Sequence, residues 1–136
     1  MLSTFVFYSQ NWQAHFNDAK TIALKENKNI ILVFSGSDWC APCIKLDQSI
    51  LQSEAFKNES GKTWVLYRAD FPKKKANKLS PELTKENELL AETYNKSGIF
   101  PLLLVLDNHG KTLGSLGFEN VTPEVYLNKI KKIINN

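Results

Sequence analysis

An α/β architecture of three layers, a central mixed β-sheet flanked by helices on both faces, is predicted by three features of this 136-residue chain. Segments follow one another as helix, strand, helix, strand, helix, strand, strand, helix, so a β-α-β entry is joined to a closing β-β-α. The run Ile30-Ile31-Leu32-Val33-Phe34 is apolar without a break, as in a strand covered on both sides. Directly after it, Trp39-Cys40-Ala41-Pro42-Cys43 sets a cysteine pair at a strand-to-helix turn. In such sheets the C-terminal edge of a strand is where sites form.

The elements are read in order. Residues 1–10 open with a short apolar stretch. It reads either as a first β-strand, from its β-branched and aromatic content, or as the tail of a secretory signal whose charged start is missing. The domain proper is expected over 11–136. From Asn11 to Asn27, Trp12, Phe16, Ala19, Ala23 and Leu24 recur at intervals of three and four, the period of an amphipathic helix. Residues 30–35 form the first core strand, broken by Gly36-Ser37-Asp38. A helix then begins at the cysteines, with Pro42 tolerated in its first turn and Ile44, Ile50 and Leu51 on its buried side. A short helix is expected over 53–58 and a second core strand over 63–71, around Trp64-Val65-Leu66-Tyr67. Pro72-Lys73-Lys74-Lys75-Ala76-Asn77-Lys78 is a basic loop. Ser80-Pro81 supplies a cap and a first-turn proline for a helix running to about Lys96 and ending at Gly98. Pro101 precedes a third strand, 102–106. Asp107-Asn108-His109-Gly110 is a turn, 111–118 a fourth strand, and Thr122-Pro123 opens the last helix.

The length suits one domain able to bury a core without staples. Net charge is a mild +3, and every basic residue but Arg68 is lysine. That is a poor kit for reading bases or phosphates, where planar bidentate arginine is favoured, so no nucleic-acid partner is expected. No apolar stretch approaches the length of a membrane span, which argues against stable insertion. A monomer is expected, because no segment stands out for dimerisation.

Cys40 and Cys43 are the only cysteines. Two intervening residues let the thiols meet across a first helical turn. A ring that small adds little stability, since the benefit of a disulfide grows with the loop it closes. The remaining readings are a redox dithiol, half of a metal site, or a pair with no task. Zinc needs four ligands, and the two histidines, His15 and His109, are isolated and share no ligand spacing with the cysteines. No metal is therefore expected, although a site bridging two copies would supply the missing ligands. A CxxC in a strand-to-helix turn favours the redox reading.

At this point the chain resembles the thioredoxin superfamily. The matching pieces are the strand ending in Phe34, the Trp39-Cys40-Ala41-Pro42-Cys43 motif, the Gly98-Ile99-Phe100-Pro101 segment leading into a strand, and the 107–110 hairpin. More narrowly, Phe34-Ser35-Gly36-Ser37-Asp38-Trp39-Cys40 with Asp70-Phe71-Pro72 is similar to a subgroup of bacterial thioredoxin-like proteins, commonly exported and often labelled disulfide isomerases. The resemblance implies a thioredoxin-like fold and a thiol-disulfide oxidoreductase acting on protein disulfides, with no prosthetic group and a separate redox partner. It implies a periplasmic or otherwise exported location, a cytoplasmic one being the alternative. Cys40, at the outermost position of a helix start, becomes the attacking thiolate, favoured by unpaired N–H groups, and Cys43 the buried resolving thiol. Pro101 becomes a cis-proline that presents backbone to an extended substrate. Phe100 beside it shapes substrate choice, and Trp39 packs over the motif.

Two departures stand out. Typical thioredoxins hold a buried, proton-handling aspartate where this chain has Phe34, so any proton relay must use water, Ser35 or another group. The segment between Cys43 and Pro101 is longer than in a minimal thioredoxin, with much of the excess around the lysine loop. Asp38 could tune the dithiol or simply serve the turn. Lys73, Lys74, Lys75 and Lys78 could steer acidic partners or form a solvated loop. Ala41-Pro42 places no charge between the thiols, which favours a reductase or isomerase over a strong oxidant. A thioredoxin-fold chaperone or adaptor, binding partners without redox turnover, is the competing function.

Overall fold

The structure, a computed structural model, describes Gln10 and residues 12–136. Apart from Gln10, the stretch expected to be a first strand or a leader remnant lies outside the described residues, as does Asn11. Among the described residues, four strands form one mixed sheet in the order β2-β1-β3-β4. β1 (Asn29–Ser35) runs parallel to β2 (Trp64–Asp70) and antiparallel to β3 (Leu102–Leu106), and β4 (Thr112–Leu116) pairs antiparallel with β3. Strand alternation divides the apolar run of β1 between two cores. Ile31 and Val33 pack with Leu46, Phe56, Tyr126 and Ile130 on one face, and Ile30, Leu32 and Phe34 with Phe16, Ala19, Ala23 and Leu90 on the other. Each face is covered by helices, giving the three layers expected.

α1 (Phe16–Glu26) buries Phe16, Ala19 and Ala23 and ends where Asn27 takes the left-handed conformation at φ 53°. It starts later than Asn11. Trp12 bridges to Leu66, and the Gln13 N–H donates to the Leu66 carbonyl at 2.9 Å, so this segment spends its backbone on β2 instead of on a helical turn. Leu24, expected on the buried stripe, faces solvent. α2 (Ala41–Leu46) passes without a break into a π-helical turn over Asp47–Leu51, where the Gln52 N–H reaches back to the Asp47 carbonyl. Ile50 and Leu51 are buried as expected, whereas Ile44 is only half-buried and Leu46 fills the core position.

α3 (Glu54–Thr63) is longer than the expected 53–58 and runs directly into β2, taking Thr63 from the expected strand. Ser53 caps it by accepting the Phe56 N–H at 3.2 Å. α4 (Pro81–Tyr94) is capped by Ser80. It stops short of Lys96 because the buried Asn95 leaves helical geometry and spends its side chain on the chain beyond. Its Oδ1 accepts the Ile99 N–H at 3.0 Å, and its Nδ2 donates to the Ile99 carbonyl at 2.9 Å. β4 is shorter than 111–118. α5 (Pro123–Ile134) begins at a Thr122 cap and buries Tyr126, Leu127 and Ile130.

Candidate active site at the end of the first strand

β1 delivers the chain to the sheet edge at Ser35, and Gly36 begins the turn. The Cys40 N–H donates to the Gly36 carbonyl at 2.9 Å, and the Ile44 N–H to the Cys40 carbonyl at 3.0 Å, so Cys40 stands as the capping residue of α2. Cys40 and Cys43 are joined in a disulfide, their Cα atoms 5.2 Å apart. Cys40 Sγ accepts the Cys43 N–H at 3.3 Å, and Cys43 Sγ accepts the Gly36 N–H at 3.5 Å. Cys40 retains 6% of its exposure and Cys43 2%, so the first cysteine is the more accessible of two shielded ones. Ala41 and Pro42 lie exposed on the first turn.

The Phe100–Pro101 peptide bond is cis. Antiparallel pairing of Phe34 with Leu102 sets Pro101 beside the end of β1, and the two bonds from Asn95 to Ile99 hold the approach to it. Trp39 is seated on Gly36, where a Cβ would fall 2.6 Å from Trp39 Nε1; only glycine leaves room for the ring. Nε1 donates to the Phe71 carbonyl at 2.7 Å. The ring meets Phe100 edge-on at 5.7 Å and carries Lys73 Nζ 4.0 Å from its centre. Phe100 in turn meets Phe71 at 5.4 Å, and Phe71 stacks on Phe34 at 6.4 Å. Phe34 thus anchors an aromatic chain from the core to the site edge, which is a packing role that an acid could not fill.

Asp38 does not face the dithiol. It accepts the Lys73 N–H at 2.9 Å, the Lys74 N–H at 3.0 Å and Asn77 Nδ2 at 3.0 Å. These bonds, that from the Lys73 backbone foremost, hold its carboxyl below the ordinary value of 3.8. Asp70 does the converse, accepting the Ser37 N–H at 3.0 Å and the Ser37 hydroxyl at 2.5 Å. His15 pairs with Glu86 at 3.0 Å, and His109 lies in the 107–110 turn, where Asp107 accepts its backbone N–H at 2.8 Å.

A polar cavity of about 200 Å³ behind the dithiol is lined by Ser35, Cys43, Asp47, Gln48, Gln52 and Arg68. Arg68 Nη2 donates to Asp47 Oδ1 at 2.7 Å while its guanidinium lies 4.3 Å from the centre of the Trp12 ring. Ser35 was among the groups expected there; Asp47 and Arg68 were not. The available signals were that Asp47 lies one helical turn beyond Cys43, on the same face, and that Arg68 is the lone arginine.

A cysteine pair capping the helix after the first strand of a β2-β1-β3-β4 sheet, with a cis-proline before β3, defines a thioredoxin-fold dithiol protein. The sequence pattern of the thioredoxin-like family matches residues 11–108, and the chain belongs to that family as a thiol-disulfide oxidoreductase. It is 36% identical to the disulfide bond reductase DsbH of Chlamydia pneumoniae over 90% of this chain and 72% of that protein. A solved DsbH oxidoreductase superposes with a TM-score of 0.86 at 34% identity, covering 99% of this chain and 92% of that one. A thioredoxin from Thermus thermophilus shares the fold, with a TM-score of 0.69 at 15% identity over 93% of this chain and 88% of that one.

Proposed function

We propose that the chain works as a disulfide reductase or isomerase on protein substrates, with Cys40 attacking and Cys43 resolving. The observation that carries this reading is the Cys40 sulfur at a helix start, facing the Cys43 N–H, with Cys43 more deeply shielded behind it. In the reduced protein that N–H stabilises a Cys40 thiolate. The thiolate attacks one sulfur of a substrate disulfide. A Cys40–substrate S–S bond forms, the substrate S–S bond breaks, and one substrate thiolate leaves and takes a proton from water. Cys43 then loses its proton toward the polar cavity at Ser35, Asp47 and Arg68 and attacks Cys40 Sγ. The second substrate thiolate departs, the Cys40–Cys43 disulfide remains, and the substrate has gained two electrons. A thiol donor from a redox partner restores the dithiol.

Trp39, Phe100 and the cis Pro101 supply the substrate face in this reading, with the substrate backbone extended along the Pro101 segment. The likeness to a disulfide bond reductase favours the reducing direction. An exported, periplasmic site of action belongs to the same reading; among the described residues no helix is long and apolar enough to cross a membrane.

Dithiol-dependent reduction of a disulfide-bonded protein tests the proposal. The Cys40→Ser variant is expected to lose turnover, and Cys43→Ser to accumulate a mixed disulfide through Cys40, visible by mass spectrometry. Comparable turnover by Cys40→Ser would overturn it. Partner capture that survives loss of both thiols would support the adaptor function instead.

A further inference from the structure

Lys73, Lys74, Lys75 and Lys78 are exposed on the loop that follows β2. Among the described residues, ion pairs engage Lys28, Arg68, Lys129, Lys131 and His15, but none of these four lysines. Their backbone is nevertheless fixed. Asp38 holds the Lys73 and Lys74 N–H groups, and a 3-10 turn over Lys75–Asn77 closes through the Asn77 N–H to the Lys74 carbonyl at 3.0 Å. Asp38 is therefore spent on two main-chain N–H groups and the Asn77 amide, and it forms an ion pair with none of the four ammonium groups.

Beneath them lies a groove of about 370 Å³. Phe71, Pro72 and Leu79 give it an apolar floor, and the four lysines line it together with Thr84 and Glu88 of α4. Asp70 also lines it, with its carboxylate taken by Ser37. At its inner end Lys73 lies over Trp39, whose ring meets Phe100 next to the cis-proline. Groove and dithiol share one edge of the sheet.

We propose that this groove is a specificity site for protein substrates, taking an acidic stretch of polypeptide, with an apolar residue for the floor, that flanks the cysteine under attack. The inference rests on the oxidoreductase reading above. Four cations on a fixed loop, none held in an ion pair and Lys73 resting on the Trp39 ring, attract carboxylates before contact, and charge complementarity of this kind acts mainly through association rate and partner choice. Glu88 on the groove wall adds a requirement: it repels an acidic segment that runs too close to α4, directing the chain along the lysine side.

The test compares three disulfide-bonded peptides identical except for flanks of three Glu, three Ser or three Lys. For the wild-type protein at low salt, kcat/KM is expected to be about tenfold higher for the Glu-flanked than for the Lys-flanked peptide. That ratio should shrink toward unity in molar salt, where the screening length falls to about 3 Å. A Lys74→Glu, Lys75→Glu, Lys78→Glu triple variant, which leaves Lys73 on Trp39, should invert the ratio. A salt-insensitive wild-type ratio near unity with all three peptides reduced overturns the groove and leaves the oxidoreductase reading intact. No thiol-dependent reduction of any peptide overturns both. If the triple variant does not fold, the salt dependence of the wild-type ratio still decides.

Discussion

Asp38 lies two residues before Cys40, and from the sequence a role in tuning the dithiol is as natural as a role in the turn. Its three hydrogen bonds settle the matter in favour of the neighbouring loop, because a carboxylate with its lone pairs so committed has little left for the sulfur. The pH consequence has a definite sign. A carboxyl whose folded value is depressed below 3.8 contributes stability that is fully present above 3.8 and is lost as pH falls through the lowered value. Order in the lysine loop is therefore expected to persist at neutral pH and to fade under strong acid. Hydrogen exchange at the Lys73 and Lys74 amides reads this directly: protection should collapse in Asp38→Ala at neutral pH, and protection equal to wild type in that variant would disprove the anchoring role. The CxxC motif drew attention to Cys40 and Cys43, and the family resemblance to Trp39, Phe100 and Pro101, which lie together at the end of β1. Neither could find the Asp47–Arg68 pair, since that contact spans 21 positions and depends on how the π-helical turn after α2 lies over β2.

At the scale of elements, legibility followed the strength of local punctuation. β1 and β3 are uninterrupted apolar runs and came out within a residue of their observed bounds. Ser53, Ser80 and Thr122 are caps that could be recognised, the latter two by the prolines after them. The far ends were harder to see. α3 continues through Asn58-Glu59-Ser60-Gly61, where Asn58, Ser60 and Gly61 are weak helix formers kept helical by tertiary packing; Ser60 is buried, and Glu59 pairs with Lys131 of α5 at 2.5 Å. The end of α4 is the element boundary that matters most for chemistry, because Asn95 ties it to Ile99, the residue immediately before the cis Phe100–Pro101 pair. Replacing the buried Asn95 with Ala removes both hydrogen bonds that hold the Ile99 N–H and carbonyl. We expect a loss of about 1–3 kcal/mol in denaturant unfolding, with a fall in reductase activity beyond what the unfolded fraction explains. An unchanged midpoint would show that the bonds are not needed.

For the whole molecule, the fold class was legible because element order and a buried central strand admit few topologies. The two cores on either side of β1 match its alternation residue by residue. The redox poise is likewise a property of the whole, being set by how differently the protein stabilises its dithiol and disulfide forms, with 30 mV corresponding to about 1.4 kcal/mol. With no charge on Ala41 or Pro42, the Cys40/Cys43 couple is expected nearer about −270 mV, where reductases lie, than about −120 mV, where strong oxidants lie. Equilibration against dithiol buffers measures it, and a value at the oxidising end would reverse the proposed direction.

The exits of the two parallel strands are latched crosswise. The turn after β1 grips the loop after β2 through Asp38, and the last residue of β2 grips the turn after β1 through Asp70. Mechanically this makes one rigid jaw of two segments that lie more than thirty positions apart. A load placed on the lysines is borne by the same frame that holds Trp39 and Cys40, so a substrate that leans on the loop leans on the sulfur's own mounting.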